Sequence, residues 1–200
     1  MSDDVKRSLT RTRVLEAALR LVAEQGLEAL TMRRLGATLG VEAMSLYRYV
    51  KNKSDLLDAL HEHVLAQMAI PRRTGRWRRD AARLAYAFRD VLRDHAGAIP
   101  LFMSRSAATR GSLLHLERGL EILVGAGFAP LDALRIFQGI YALVVGHCAF
   151  HYGPGEDAPI PEDALDPEAM PILVSLDLTD YDPDAELEVT LEAMLRALRP

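Results

Sequence analysis

Residues 29–53 read ALTMRRLGATLGVEAMSLYRYVKNK, and this stretch decides the fold. Thr31 is a good N-cap for a short helix over Met32 to Leu39. Gly40 ends that helix, because a tight reversal between helices wants a positive φ. Glu42 begins a second helix, expected through Ala43 to about Tyr49, and Asn52 breaks it. Leu35, Leu39, Val41 and Leu46 are spaced to pack the two helices into a corner. Two short helices around Gly40-Val41-Glu42 have helix-turn-helix spacing. Such a corner would free the N-terminal end of the second helix to enter a DNA major groove. Spacing alone is equally compatible with an ordinary helical hairpin.

The side chains favour DNA. Arg48 can hold a guanine in bidentate fashion or grip phosphate, and Ser45 can donate or accept at either. Tyr47 and Tyr49 carry hydroxyls that reach phosphate and rings that cover sugar and methyl surface. Lys51 and Lys53 would sit near the backbone, as would Arg33 and Arg34 on the first helix. The candidate DNA-contacting set is Thr31, Arg33, Arg34, Ala43, Met44, Ser45, Tyr47, Arg48, Tyr49 and Lys53. The alternatives are a core role for Tyr47 with a wet tip and a solvated surface charge for Arg48. Charge distribution supports the first view. Residues 1–79 carry 15 Lys and Arg against 9 Asp and Glu, whereas residues 80–200 carry 9 against 19. A polyanion is drawn to the front of the chain and repelled by the back.

Outward from this stretch the pattern is helical throughout. No sustained alternation of β-branched residues and no Asn-Gly or Asp-Gly hairpin turn occurs. A first helix is expected from Leu9 to Gln25, stopped by a left-handed Gly26. A fourth, capped by Ser54, carries Leu56, Leu57, Leu60, Val64 and Leu65, and Pro71 closes it. The basic stretch 72–76 is the expected boundary between a helix-turn-helix domain, 1–71, and a larger helical domain, 76–200. Further helices are expected near Trp77–His95, Ala98–Met103, Thr109–Ala126, Leu131–Tyr152, Glu168–Ser175 and Asp184–Leu198. Gly153–Pro167, rich in Pro, Gly and acid, reads as a loop.

Half of the 200 residues are hydrophobic, which allows a substantial core. No signal peptide is expected behind Met1, and the longest apolar stretches, such as Tyr141–Val145, are too short to span a bilayer. A lone cysteine, Cys148, precludes an intrachain disulfide and fits a reducing cytoplasm. It reads as a small buried apolar residue rather than a redox sensor. His147 and His151 share a helical face, but no acidic residue or cysteine supports them on that face, so no metal is expected. His61 and His63 point different ways and read as surface. No phosphate loop, His-Glu-x-x-His or nucleophile elbow argues for an enzyme. A helical adaptor that does not bind DNA is the rival class.

Several segments resemble the TetR family of transcriptional regulators: Val14-Leu15-Glu16-Ala17-Ala18, the Gly26 stop, Leu30-Thr31-Met32-Arg33-Arg34-Leu35, Leu39-Gly40-Val41 and Leu46-Tyr47-Arg48-Tyr49-Val50-Lys51-Asn52-Lys53. Residues 10–65 carry the strongest likeness. Gly125-Ala126-Gly127-Phe128 and Met170-Pro171-Ile172-Leu173 are similar to the tetracycline-repressor branch.

The resemblance implies a cytoplasmic homodimer, a repressor or less often an activator, on a near-palindromic operator. Its fourth helix, Ser54–Ile70, would link the DNA head to a body that takes a small lipophilic effector. Candidate effector contacts are Tyr86, Phe102, Met103, Leu113, Leu116, Leu120, Phe137, Tyr141, Val144, His147 and His151. Candidate dimer contacts are Leu134, Phe137, Ile140, Tyr141 and Val145 on the long helix, with Leu191, Leu195 and Leu198 on the last. The metal-holding histidine of the tetracycline branch falls at Leu101 and its acidic partner near Phe150. Tetracycline–magnesium is therefore not expected as inducer, and no cofactor is implied. Ala43-Met44 replaces that branch's Gln-Pro, which implies a different operator.

Overall fold

A computed structural model describes residues 9–155, 161 and 164–200. Among these no strand occurs, and the chain is all α. Helix α1 (Arg11–Gln25) starts two residues later than expected, at a Thr10 cap whose hydroxyl accepts from the Arg13 amide. Its buried positions, Val14, Leu15, Ala17, Ala18, Leu21 and Val22, share one side of the helix and form one stripe. Gly26 has a positive φ of 80° but an extended ψ of 164°, so it ends α1 without the left-handed helical turn expected of it. Helix α2 (Met32–Leu39) and helix α3 (Ala43–Leu46) form the corner. Helix α4 (Lys53–Leu65) is capped by Asn52 rather than Ser54. The Asn52 side chain accepts from the Asp55 amide at 2.8 Å, and the Asp55 carboxylate accepts from the Lys51 amide at 2.7 Å. Asn52 thus starts α4, while α3 has already ended at Leu46. Regular helix ends at Leu65, short of Ile70.

The body comprises α5 (Trp77–Asp94), α6 (Ile99–Ser104), α7 (Arg110–Val124), α8 (Pro130–His151), α9 (Pro171–Ser175) and α10 (Pro183–Ala197). Residues 156–160 and 162–163 of the expected Gly153–Pro167 loop lie outside the described residues. The basic stretch 72–76 is tied down. Thr74 donates from its amide and hydroxyl, and Gly75 from its amide, to the buried Asp80 carboxylate. Arg73 pairs with Glu121 at 2.7 Å.

One continuous apolar core runs from Val14, Leu30, Leu46 and Leu60 at the front to Leu92, Ile99, Val144 and Leu191 behind. Helix α4 carries it across. Two further contacts join front to back. Arg105, after α6, reaches Asp58 at 2.6 Å and the Ser54 hydroxyl at 2.8 Å, both on α4. The turn Ala96–Ala98 lies on α1 so closely that a Cβ at Gly97 would stand 2.7 Å from the Val22 carbonyl oxygen.

Helix α8, contrary to the expectation from shorter apolar runs, is long and apolar enough to cross a membrane by length and composition. It nevertheless packs on α5, α6, α7 and α10. Asp132, Arg135 and Gln138 interrupt its first half, and His147 and His151 lie near its end. Only 28% of its most apolar window is buried, so much of its apolar surface faces outward. The dimer contacts expected from the resemblance do not supply that surface. Ile140, Val145, Leu191 and Leu195 are buried within the single chain. Leu134, Phe137 and Tyr141 line a partly open cavity, and Leu198 packs on the core.

Gly97 yields a direct test of the front-to-back contact. Its neighbours are backbone atoms, which cannot swing aside as a side chain can. Gly97→Ala is expected to lower stability by about 1–3 kcal/mol, measured by urea unfolding at fixed protein concentration.

Candidate nucleic-acid interface and internal cavity

Three local devices build the corner. The Thr31 hydroxyl accepts from the Arg34 amide at 3.1 Å and caps α2. Gly40 takes φ 67° and ψ 29°, the left-handed conformation that reverses the chain. Gly36, which sequence reasoning passed over, lets the turn close. A Cβ there would lie 2.8 Å from the Val41 carbonyl oxygen and 3.1 Å from the Ala43 nitrogen, and the Val41 amide donates to the Gly36 carbonyl at 2.9 Å. Leu35, Leu46 and Val50 are buried beneath. Helix α3 is a single turn, shorter than the expected Ala43–Tyr49; Tyr47, Arg48 and Tyr49 continue it as a turn.

The exposed surface here holds Thr31, Arg33, Arg34, Met44, Tyr47, Arg48, Lys51 and Lys53, with Ala43 and Ser45 half-buried. Met44 is 72% exposed, unusual for a methionine in a well-packed head. Tyr49 departs from its expected DNA-facing role. It is half-buried, and its hydroxyl donates to the Leu9 carbonyl at 2.8 Å, which pins the start of α1.

Behind the head, α4 to α8 line a cavity of about 460 Å³ that is partly open to solvent. Leu65 and Met68 reach it from α4 and the residues just after, Phe88 from α5, Phe102 and Met103 from α6, Leu116 from α7, and Phe137 and Tyr141 from α8. Polar points are few: Ser112, His115, Gln138, and Ser104, Arg105 and Ser106 at the end of α6 and just after it. The Tyr141 hydroxyl donates to the Phe102 carbonyl at 3.0 Å, and burial pushes its pKa up to about 12. His115 is held below its ordinary pKa, first by burial and then by Arg118. Its Nδ1 is buried without a partner among the described residues. Gly119 allows the Phe137 ring to lie against α7, since a Cβ there would meet that ring.

Of the expected effector contacts, Phe102, Met103, Leu116, Phe137 and Tyr141 line this cavity, and the others do not. Tyr86 lies under Arg89, near Glu188 and Glu192 of α10. Leu113 is exposed, Leu120 packs on a small core of Leu123, Phe128 and Ala133, and Val144 is main core. His147 and His151 lie with Glu186, away from the lining. The misplaced residues share helices with true lining residues but occupy other faces, and helical spacing alone cannot say which face looks inward. His61 is also not on the surface. It is buried on α4, its ring 4.3 Å from that of Phe102. Burial, partly opposed by Asp58 and assisted by Arg105, pushes its pKa down to about 4.

Two family models match the chain. The one described as bacterial regulatory proteins, tetR family, covers residues 14–60, and the one described as tetracyclin repressor-like, C-terminal domain, covers residues 71–199. The chain belongs to the tetR family. That family is one of transcriptional regulators, not of enzymes. Tetracycline repressor protein class A from transposon 1721 of Escherichia coli is 30% identical over 92% of this chain and 88% of its own length. An HTH-type transcriptional regulator of Saccharopolyspora erythraea is 32% identical over 70% of this chain, a match that spans 60% of the relative. Among solved structures, a possible TetR family transcriptional regulator from Streptomyces coelicolor A3(2) superposes with a TM-score of 0.79 at 34% identity. That alignment covers 95% of this chain and 100% of that one. The tetR-family head and body thus account for nearly the full chain.

The buried His61 sets a pH dependence. Unfolded, it takes up a proton near 6.5; folded, only near 4. Between those values the unfolded state binds more protons, so stability falls as pH drops through the window. The loss from this residue is about 2–3 kcal/mol between pH 7 and pH 4.5. His61→Leu should remove that share of the acid limb, read from urea unfolding at the two pH values.

Proposed function

We propose that this chain is a ligand-responsive repressor that binds a near-palindromic operator as a homodimer and is released by a small, predominantly lipophilic effector. The observation that carries this reading is the α2–α3 corner. It presents Met44, Tyr47 and Arg48 to solvent on a rigid support, beside Arg33, Arg34 and Lys53. Arg48 suits a guanine edge or phosphate, Tyr47 and Met44 suit sugar and thymine methyl surface, and the flanking cations suit phosphate. Acting on chromosomal DNA, the protein would work in the cytoplasm.

The effector would occupy the apolar cavity, whose few polar points would fix its orientation. A Streptomyces coelicolor TetR family protein of the same fold, 25% identical, has been solved in complex with (S)-DNPA, which supports a small-molecule occupant. The side chains of Leu101 and Phe150 carry no donor atom, so neither could serve a tetracycline-bound metal. Helix α4 supplies the coupling. It begins next to the recognition turn, carries His61 against Phe102 and Asp58 against Arg105, and ends at the cavity with Leu65. An effector need only bind the arrangement with misaligned heads more tightly than the aligned one to release DNA.

A second copy would cover the outward apolar faces of α8 and α10, where Phe150 is 84% and Val189 70% exposed. The two recognition turns would then meet half-sites about 34–36 Å apart.

The double variant Tyr47→Ala/Arg48→Ala tests the interface without touching the core, since both side chains are exposed. It should weaken binding to a duplex retained by the wild type by at least about 100-fold. Far-UV circular dichroism and oligomeric state should not change. Wild-type affinity in the variant would remove α3 from the interface.

A further inference from the structure

His147 and His151, which lack an acidic partner along their own helix, gain one in the fold. The first turns of α10 lie beside the last turns of α8 and bring Glu186 to the histidine pair. The His151 Nε2 stands 3.1 Å from Glu186 Oε2. Ligand atoms of all three residues fall within 4.8 Å of one another. His147 is only 7% exposed, and neither of its ring nitrogens has a hydrogen-bond partner among the described residues. A buried imidazole with both nitrogens unpartnered is an uncommon arrangement that asks for an explanation, and an ion is one.

Two imidazole nitrogens and one carboxylate oxygen match the ligand preferences of zinc and its first-row neighbours, not of calcium or magnesium. Zinc bonds of about 2.0–2.1 Å put neighbouring ligand atoms about 3.3 Å apart in a tetrahedron. His151 and Glu186 are already near that spacing, and a His147 nitrogen, within 4.8 Å of both, would close on them by up to about 1.5 Å. The surroundings would orient such ligands. Tyr181 donates its hydroxyl to the Glu186 carboxylate, as outer partners of metal ligands commonly do. Glu186 is partly exposed, which leaves an entry path and a position for water.

We propose that His147, His151 and Glu186 form a zinc-type transition-metal site that clamps the end of α8 to the start of α10. The site is separate from the cavity lining and from the recognition corner, and it stands or falls apart from the proposed regulatory function. A plain His151–Glu186 ion pair would account for those two residues but leaves His147 unexplained.

The test is a zinc titration of chelator-stripped, full-length protein, by calorimetry with the metal alone. One zinc ion per chain is expected, together with a rise in thermal midpoint on loading. Glu186→Gln, at a partly exposed position that the core does not need, should weaken zinc binding at least about tenfold, as should His151→Ala. His63→Ala, on α4 and outside the cluster, should not. No saturable zinc binding by the wild type overturns the proposal. So does equal affinity in Glu186→Gln or His151→Ala, because the ion then sits elsewhere. X-ray absorption of zinc-loaded wild type provides a check that needs no variant. Two imidazole ligands support the site; one or none contradicts it.

Discussion

The close approach of Gly36 to the turn at Val41–Ala43 is the constraint on which the front of the molecule depends. No side chain fits between the two backbones. With that gap closed, the left-handed Gly40 can reverse the chain in a few residues, and Leu35 and Leu46 meet in a dry corner. A Cβ at Gly36 would push the two backbones apart and disturb the corner that supports Met44, Tyr47 and Arg48. The shape of the proposed recognition surface follows from what a missing Cβ permits, and its chemistry from the residues left outside.

The same economy governs the link between front and back. Helix α4 belongs to both parts of one core. Its first half answers to the capping pair Asn52 and Asp55 and to Arg105, and its far end borders the cavity. Gly97 presses the Ala96–Ala98 turn onto α1. A ligand that displaces Phe102 or Leu65 would therefore press on the element that carries the DNA-facing head. In the function proposed, communication needs no long relay, only one helix with two sets of neighbours.

Much of this was legible in the sequence. Gly40, the Leu35–Leu46 corner and the run of helices broken by Gly and Pro were readable because backbone conformation and helical period leave local marks. The exposure of Arg33, Arg34, Met44, Tyr47 and Arg48 was readable for the same reason, but not the half-buried place of Tyr49, whose hydroxyl is drawn to a carbonyl forty residues earlier in the chain. What stayed hidden depends on contacts distant in sequence. Spacing along α7 and α8 could not show that Leu116 and Tyr141 face the cavity whereas Leu113 and Val144 do not. Nor could it bring Glu186 to His147 and His151, or bury His61 under Phe102. Gly36 was visible as a letter, but its role needs the position of a backbone oxygen five residues on.

The most direct measurement is selection of bound sequences from a pool of random duplexes by the wild-type protein at moderate salt. The account predicts enrichment of an inverted repeat whose half-site centres lie about one helical turn, roughly 10 base pairs, apart. Retention of DNA with no enriched sequence, or enrichment of a single asymmetric site, would contradict it.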